Sequence, residues 1–239
     1  MIKGKQVLVT GASSGIGAAI ARRLAAAGAH LIVLGRSSAR LRSALKRAGG
    51  PASVRYVTVD LSKPGHVRRC VRNLQRGLSG LDGIVHAAGV ISMMPLRRAK
   101  RDPLQQLMQV NVSAALTLTL GLLTHLKRRS GSVVFVNSTV VLRPARNGPF
   151  YAASKHALRS IADSLREEVN ALGIRVSSIY PGRTATPMQK AIVGAEGRRY
   201  RPSELIQPED IALLVEQLLD LPASIEVTDI LTRPTQPPR

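Results

Sequence analysis

The sequence predicts an α/β fold, a doubly wound parallel sheet of about seven strands with helices on both faces. Three observations carry that prediction. Short apolar runs of strand length alternate with longer amphipathic stretches along the whole chain. No hairpin signal joins neighbouring strand-like runs, so helices must connect them. The polar residues that stand out fall at the carboxyl ends of those runs, where such sheets bind ligands. At 239 residues, without an internal repeat or a dividing linker, residues 1–239 are expected to form a single domain with a well-buried core.

Residues 6–10 read as a buried strand that runs at once into Gly11-Ala12-Ser13-Ser14-Gly15-Ile16-Gly17. A helix over residues 18–27 follows, with Ile20 and Leu24 inward, Arg22 and Arg23 outward, and Gly28 as its stop. Glycines let a backbone approach a pyrophosphate, and a helix N-terminus offers free N–H groups with partial positive charge. Gly11, Ser13, Ser14, Gly15, Ile16 and Gly17 are therefore the expected dinucleotide cradle, spaced G-x-x-x-G-x-G. A second strand, residues 31–34, ends in Gly35-Arg36. An acid at that place would hold the ribose 2′-hydroxyl of NAD. An arginine suits the 2′-phosphate of NADP, with Ser37 and Arg40 as helpers.

A helix burying Leu41 and Leu45 stops at Gly49-Gly50-Pro51. Residues 54–59 form a third strand ending in Asp60-Leu61, where Asp60 either accepts from the adenine amine or caps the next helix. That helix starts at Pro64, buries Val67, Val71, Leu74 and Leu78, and turns Arg68, Arg69, Arg72 and Arg76 outward. Residues 83–89 are a fourth strand with its exit turn, Ala87-Ala88-Gly89. Asp102-Pro103 supplies an N-cap and N1 proline for one long helix to about residue 129, which contains Asn111. Residues 132–137 are a fifth strand ending at Ser138, and Arg175–Tyr180 a sixth, followed by Pro181-Gly182-Arg183-Thr184. Residues 185–205 lack clear periodicity and are expected to be a mobile lid. Pro208 opens a helix burying Ile211, Leu214, Val215 and Leu218. Residues 225–231 are the last strand, before a Pro-rich tail from Pro234.

Tyr151 and Lys155 lie between strands five and six, near the start of a helix. Four residues is about one turn, so both side chains project from one face. A phenol of pKa about 10 is a weak acid at neutral pH, and a neighbouring ammonium lowers that value. Tyr151 is then suited to give a proton to a carbonyl oxygen or to take one from an alcohol.

Composition narrows the classes. Apolar residues make up 44% of the chain, without a run of eighteen, so a globular core is expected and a membrane span is not. The N-terminus enters a strand without a leader-like apolar segment, and Cys70 is the only cysteine. An intrachain disulfide and a cysteine metal cluster are therefore excluded, and a cytoplasmic location is expected. The net charge of +21 is uneven: up to residue 160, 26 Lys and Arg stand against three acids, and beyond it nine against eleven. Either an anionic partner (nucleic acid, an acidic carrier protein) or arginine on solvated helix faces accounts for it. With no Trp, four Tyr and two Phe, base stacking has little to work with.

In their order and spacing, Thr10-Gly-Ala-Ser-Ser-Gly-Ile-Gly17, Ala87-Ala-Gly89, Asn111, Ser138, Tyr151-x-x-x-Lys155 and Pro181-Gly182 resemble the short-chain dehydrogenase/reductase family. The resemblance covers nearly the whole chain. It implies a Rossmann-like fold and an NADP-dependent oxidoreductase that moves a hydride reversibly between NADPH and a carbonyl or secondary alcohol. Ser138 would hold the carbonyl oxygen and Tyr151 would act as general acid and base. Lys155 would bind the nicotinamide ribose and depress the Tyr151 pKa. Asn111, through a bulge in its helix and a bound water, would link Lys155 to solvent. Thr184 would contact the nicotinamide carboxamide. Arg36, Asp60, Leu61, Ala87, Ala88, Gly89, Pro181 and Gly182 would complete the cofactor shell around the glycine-rich turn. Two departures stand out. His86 occupies the place of the family's Asn before Ala-Ala-Gly and is expected to be a structural substitute. A glycine-rich C-terminal segment is missing, which makes a homodimer through the two long helices more expected than a homotetramer.

The pocket walls expected after strands four to six are Val90, Ile91, Met93 and Met94; Val140, Val141 and Leu142; and Ala185, Pro187 and Met188. They are apolar and point to a hydrophobic carbonyl substrate. Arg143, Arg146 and Arg183 either grip an anionic end of it or are solvated. A non-catalytic regulatory or nucleic-acid-binding protein is the second class, and the complete Ser138, Tyr151, Lys155 and Asn111 set speaks against it.

Overall fold

Seven strands, β1 (Gln6–Thr10), β2 (His30–Gly35), β3 (Val54–Thr58), β4 (Gly83–His86), β5 (Ser132–Val136), β6 (Arg175–Tyr180) and β7 (Asp229–Leu231), form one parallel sheet in the order β3-β2-β1-β4-β5-β6-β7. The computed structural model describes residues 1–46, 53–98, 103–142 and 148–235. Nine α-helices among these residues complete it: α1 (Gly15–Ala26), α2 (Ser38–Leu45), α3 (Pro64–Gln75), α4 (Leu104–Met108), α5 (Ala114–Gly121), α6 (Leu123–Lys127), α7 (Pro149–Val169), α8 (Pro187–Ala195) and α9 (Pro208–Asp220). The strand order reverses between β1 and β4, and this crevice is where open α/β sheets take their ligands.

Alternation along the strands builds two cores. Leu8, Ile84 and Phe135 join Leu74, Leu118 and Leu158 from α3, α5 and α7. Val7, Val9 and Val33 join Ile20, Leu24 and Val215 from α1 and α9 on the other face. Successive strand side chains point to opposite faces, so strands buried on both sides read as continuous apolar runs. Among the described residues no helix is long and apolar enough to cross a membrane.

Several elements differ from the sequence expectation. The long helix is three pieces: a π-helical turn over Gln109–Ser113 separates α4 from α5, and Leu122, with φ −109 and ψ 8, separates α5 from α6. Pro103 occupies the capping place of α4, and Asp102 lies outside the described residues, as do the Gly49-Gly50-Pro51 break and most of the tail. Leu78 is buried beyond the end of α3. Residues 185–205 are ordered by α8 and a 3-10 turn, Pro202–Glu204. Their apolar period is hidden because α8 buries only Gln189 and Val193, and a buried amide does not register as core. The last strand is three residues long. Glu226 extends it with a side chain, its Oε1 accepting from the Val176 N–H at 2.6 Å.

The packing also explains part of the charge asymmetry. Basic α1 lies against acidic α9, with Arg22 paired to Glu209 and Arg23 to Glu216, while the N-terminal amine and Lys5 meet Asp220. Such exposed pairs contribute little stability each. Their sign pattern nevertheless fits the two ends of the chain together. Arg68, Arg69, Arg72 and Arg76 on α3 stay exposed, as expected.

Candidate functional site

At the crevice between β1 and β4 the chain encloses a cavity of about 300 Å³. Its floor is set by two close backbone approaches. Gly11, at φ +70, passes Ala88 so tightly that a Cβ would stand 2.7 Å from the Ala88 nitrogen. Gly17 faces the Gly11 carbonyl, and a Cβ there would collide with it. The Thr10 hydroxyl accepts from the N–H groups of Ala87 and Ala88, both at 3.1 Å, which fixes the exit of β4 beside the glycine-rich turn. Ser14 is the N-cap of α1 and gives its first turn no side-chain cap. An uncapped helix start is an anion site. Gly17→Ala is therefore expected to cost about 1–3 kcal/mol of stability and at least about tenfold in dinucleotide affinity, because backbone atoms cannot yield to the new methyl. Thermal melting and an NADPH fluorescence titration check both.

Gly11, Ser13, Ser14, Gly15, Ile16 and Gly17 all line the cavity, as do Arg36, Asp60, Leu61, Ala87, Ala88 and Gly89. Asp60 is not the cap of α3, a place taken by Lys63. Its Oδ1 accepts from the N–H and the hydroxyl of Ser62, and these bonds hold the carboxyl below its ordinary range, aided by Lys63 and Arg36. Ser37 spends its hydroxyl capping α2, where it accepts from the Arg40 N–H, and neither residue borders the cavity. Arg36 is the cation that lines that end among the described residues.

At the other end, Tyr151 and Lys155 form the wall beside Asn137, Thr186, Pro187 and Met188. Lys155 is 4% exposed, its Nζ donates to the Val136 carbonyl at 2.8 Å, and it lies 5.9 Å from the Tyr151 ring centre. Burial pushes the ammonium down to about 8 and the phenol up to about 12; a hydrogen bond with Ser138 opposes the second shift. Both shifts come from burial, and Lys155 is not among the causes of the Tyr151 shift. Tyr151 keeps part of its surface toward the cavity, whereas Lys155 is buried outright.

Asn111 sits in the π turn, 2% exposed. Its Oδ1 accepts from the Val90 N–H at 2.8 Å, and its Nδ2 donates to the Val90 carbonyl and to Ser154 Oγ. The side chain ties the loop after β4 to α7. The π turn is the bulge expected in this helix.

Besides Asn111, six predicted site residues do not line the cavity, Ser138 among them. Pro181 and Gly182 pack behind the site: the Pro181 carbonyl accepts from the Thr139 N–H, and Gly182 abuts Thr232. Thr184 is buried, donates to the Gly182 carbonyl at 3.0 Å and bridges to Ile206. Its place on the cavity is taken by Thr186, the N-cap of α8, whose hydroxyl accepts from the Gln189 N–H. The signal was present, since Thr186-Pro187 is a cap followed by an N1 proline. Val140 and Leu142 belong to a 3-10 turn outside the cavity, with Leu142 52% exposed; Met188 does line it. Arg143 and Arg146 lie outside the described residues. Arg183 grips Glu196, not the cavity. His86 is neutral, pushed down to about 3 by burial. It bonds Thr119 Oγ1 at 2.8 Å and stacks on Phe135, a packing role.

A glycine-rich turn at a helix start, a cation at the far end and Tyr151 with Lys155 at the near end suit a nicotinamide dinucleotide in a doubly wound fold. The comparisons with known proteins agree. The chain belongs to the short chain dehydrogenase family, whose pattern matches residues 5–197. It is 34% identical over 233 residues to an uncharacterized short-chain type dehydrogenase/reductase of Sinorhizobium fredii, covering 95% of this chain and 90% of that one. It is also 34% identical to a fatty acyl-CoA reductase of Acinetobacter baylyi, over 90% of this chain and 72% of that protein. Among solved structures, an alcohol dehydrogenase from the archaeon Thermococcus sibiricus, complexed with 5-hydroxy-NADP, superposes with a TM-score of 0.85 at 28% identity, covering 99% and 100% of the two chains.

Proposed function

We propose that the chain is an NADP-dependent carbonyl reductase, working reversibly as an alcohol dehydrogenase on hydrophobic substrates. The observation that carries this reading is the Tyr151 phenol, one turn from Lys155, on the wall of the same cavity whose other end holds Arg36. When bound, the cofactor supplies the hydride for reduction or accepts it in oxidation. The chain supplies the rest. Ser138 orients the substrate oxygen, and Tyr151 gives that oxygen a proton or removes one. Lys155 holds the nicotinamide ribose and feeds protons to Tyr151. Asn111, through the π turn that bulges its helix and a bound water, links Lys155 to solvent. Thr186, in place of Thr184, meets the nicotinamide end, and Arg36 meets the 2′-phosphate.

The substrate wall is Val90 and Met188, supported by the half-buried Ile91, Met93 and Met94. These favour an apolar carbonyl, in keeping with the fatty acyl-CoA reductase among the relatives. The segment 185–205 closes this wall as a lid hinged in a single domain, and the active form is a homo-oligomer in the cytoplasm. A panel of aldehydes and ketones graded by chain length, read by NADPH absorbance beside NADH, tests the reading. Turnover that rises with apolar chain length and prefers NADPH is expected. Turnover only on short polyhydroxy carbonyls would overturn the substrate class.

A further inference from the structure

Arg183 leaves the end of β6 and reaches the far end of α8, where its Nη1 donates to Glu196 Oε2 at 2.9 Å and its Nη2 to Glu196 Oε1 at 2.7 Å. A guanidinium fork on both oxygens of a carboxylate is the strongest geometry open to a partly exposed ion pair. Glu196 is the C-cap of α8, and Arg198 stands 3.7 Å from the same carboxylate. The Arg183 hydrogen bonds hold the Glu196 carboxyl below its ordinary range.

The opposite end of α8 is where the cavity lies. Thr186, Pro187 and Met188 wall it, and the Thr186 methyl comes within 3.2 Å of the place a Gly15 Cβ would occupy. The base of the excursion is pinned by the parallel bridge Thr184↔Ile206, with the Ala185 N–H donating to the Ile206 carbonyl and the Ile206 N–H to the Arg183 carbonyl. Base, buried Val193 and C-cap are thus separate fixings of one short rod. A nine-residue helix is about 14 Å long, so the C-cap contact and the cavity wall stand at its opposite ends.

We propose that the Arg183–Glu196 pair is a latch that sets α8 against the cavity, which makes both residues positioning residues for cofactor retention and for the substrate wall. The proposal rests on the dinucleotide reading of the cavity. The pair keeps about a third and a fifth of its side-chain surface exposed, so it opens without stranding a buried charge.

Arg183→Glu, Glu196→Arg and the charge-swapped double variant test it. NADPH release is followed by the cofactor's own fluorescence in stopped flow, and hydrogen exchange across residues 187–195 is measured on the protein alone. Each single variant is expected to release NADPH about fivefold faster, to exchange faster over 187–195, and to lose kcat/KM mainly through KM. The double variant is expected to restore all three. Glu196→Gln, which keeps shape and removes charge, shifts them in the same direction by less and serves if reversed charge unfolds the segment. Wild-type release and exchange in the single variants, or a double variant no better than either, would overturn the latch. Failure of the wild-type protein to bind NADPH would overturn the cofactor reading instead, while the exchange comparison still reports on α8.

Discussion

Tyr151→Phe is expected to lower turnover about 10²- to 10⁴-fold, the range that one positioned acid–base group supplies, while NADPH affinity stays within about twofold. The phenol ring walls the cavity and Phe keeps that ring, so only the proton is lost. Its pH behaviour follows from burial. With the phenol pushed up to about 12, Tyr151 is protonated across the neutral range. Carbonyl reduction needs the protonated form, so its rate is expected to stay level through neutrality and to fall only at strongly alkaline pH. Alcohol oxidation needs the phenolate, whose share grows about tenfold per pH unit below the pKa, so oxidation climbs with pH over the same range. A reductive profile that breaks near neutrality would show the phenol brought down once cofactor and Lys155 act together. Equal loss of NADPH binding in Tyr151→Phe would remove the residue from its assigned role.

The sequence made the sheet, its order of elements and the glycine-rich floor of the cavity legible, because buried parallel strands and glycine turns leave strong local signals. Gly11 and Gly17 are readable since only glycine survives such close backbone approach. What stayed hidden depends on contacts distant in sequence. The electrostatics of Lys155 are decided by burial under β5 and a bond to the Val136 carbonyl, which no spacing reveals. The relay at Asn111 rests on the family resemblance, and the partners of its side chain were not readable from the sequence. Its amide is consumed by Val90 and Ser154, 21 and 43 positions away. Thr186 rather than Thr184 borders the cavity because it caps α8, whose start Thr186-Pro187 signalled while its half-polar buried face hid its period. His86 was readable as a substitute, and its partners Thr119 and Phe135 came only with the fold.

Arg36→Asp is expected to move the NADPH/NADH preference by about 10²- to 10³-fold in kcat/KM toward NADH. Two effects add: a charge-assisted contact worth about 1.5–3 kcal/mol is lost, and a carboxylate now repels the 2′-phosphate and accepts from the 2′-hydroxyl. Ser37 and Arg40 do not soften the change, because the first is spent on the α2 cap and neither borders the cavity. Asp60 adds to it, since a second carboxylate already lies at this end and Arg36 is one of the cations that offset it. Arg36→Gln separates the two effects: it deletes the cation without installing an acid, so it should weaken NADPH binding while gaining little for NADH. Parallel kcat/KM measurements with both cofactors on the three proteins decide the matter. An unchanged ratio in Arg36→Asp would place 2′-phosphate recognition elsewhere on the basic edge of the sheet, with Lys63 beside Asp60 the next residue to test.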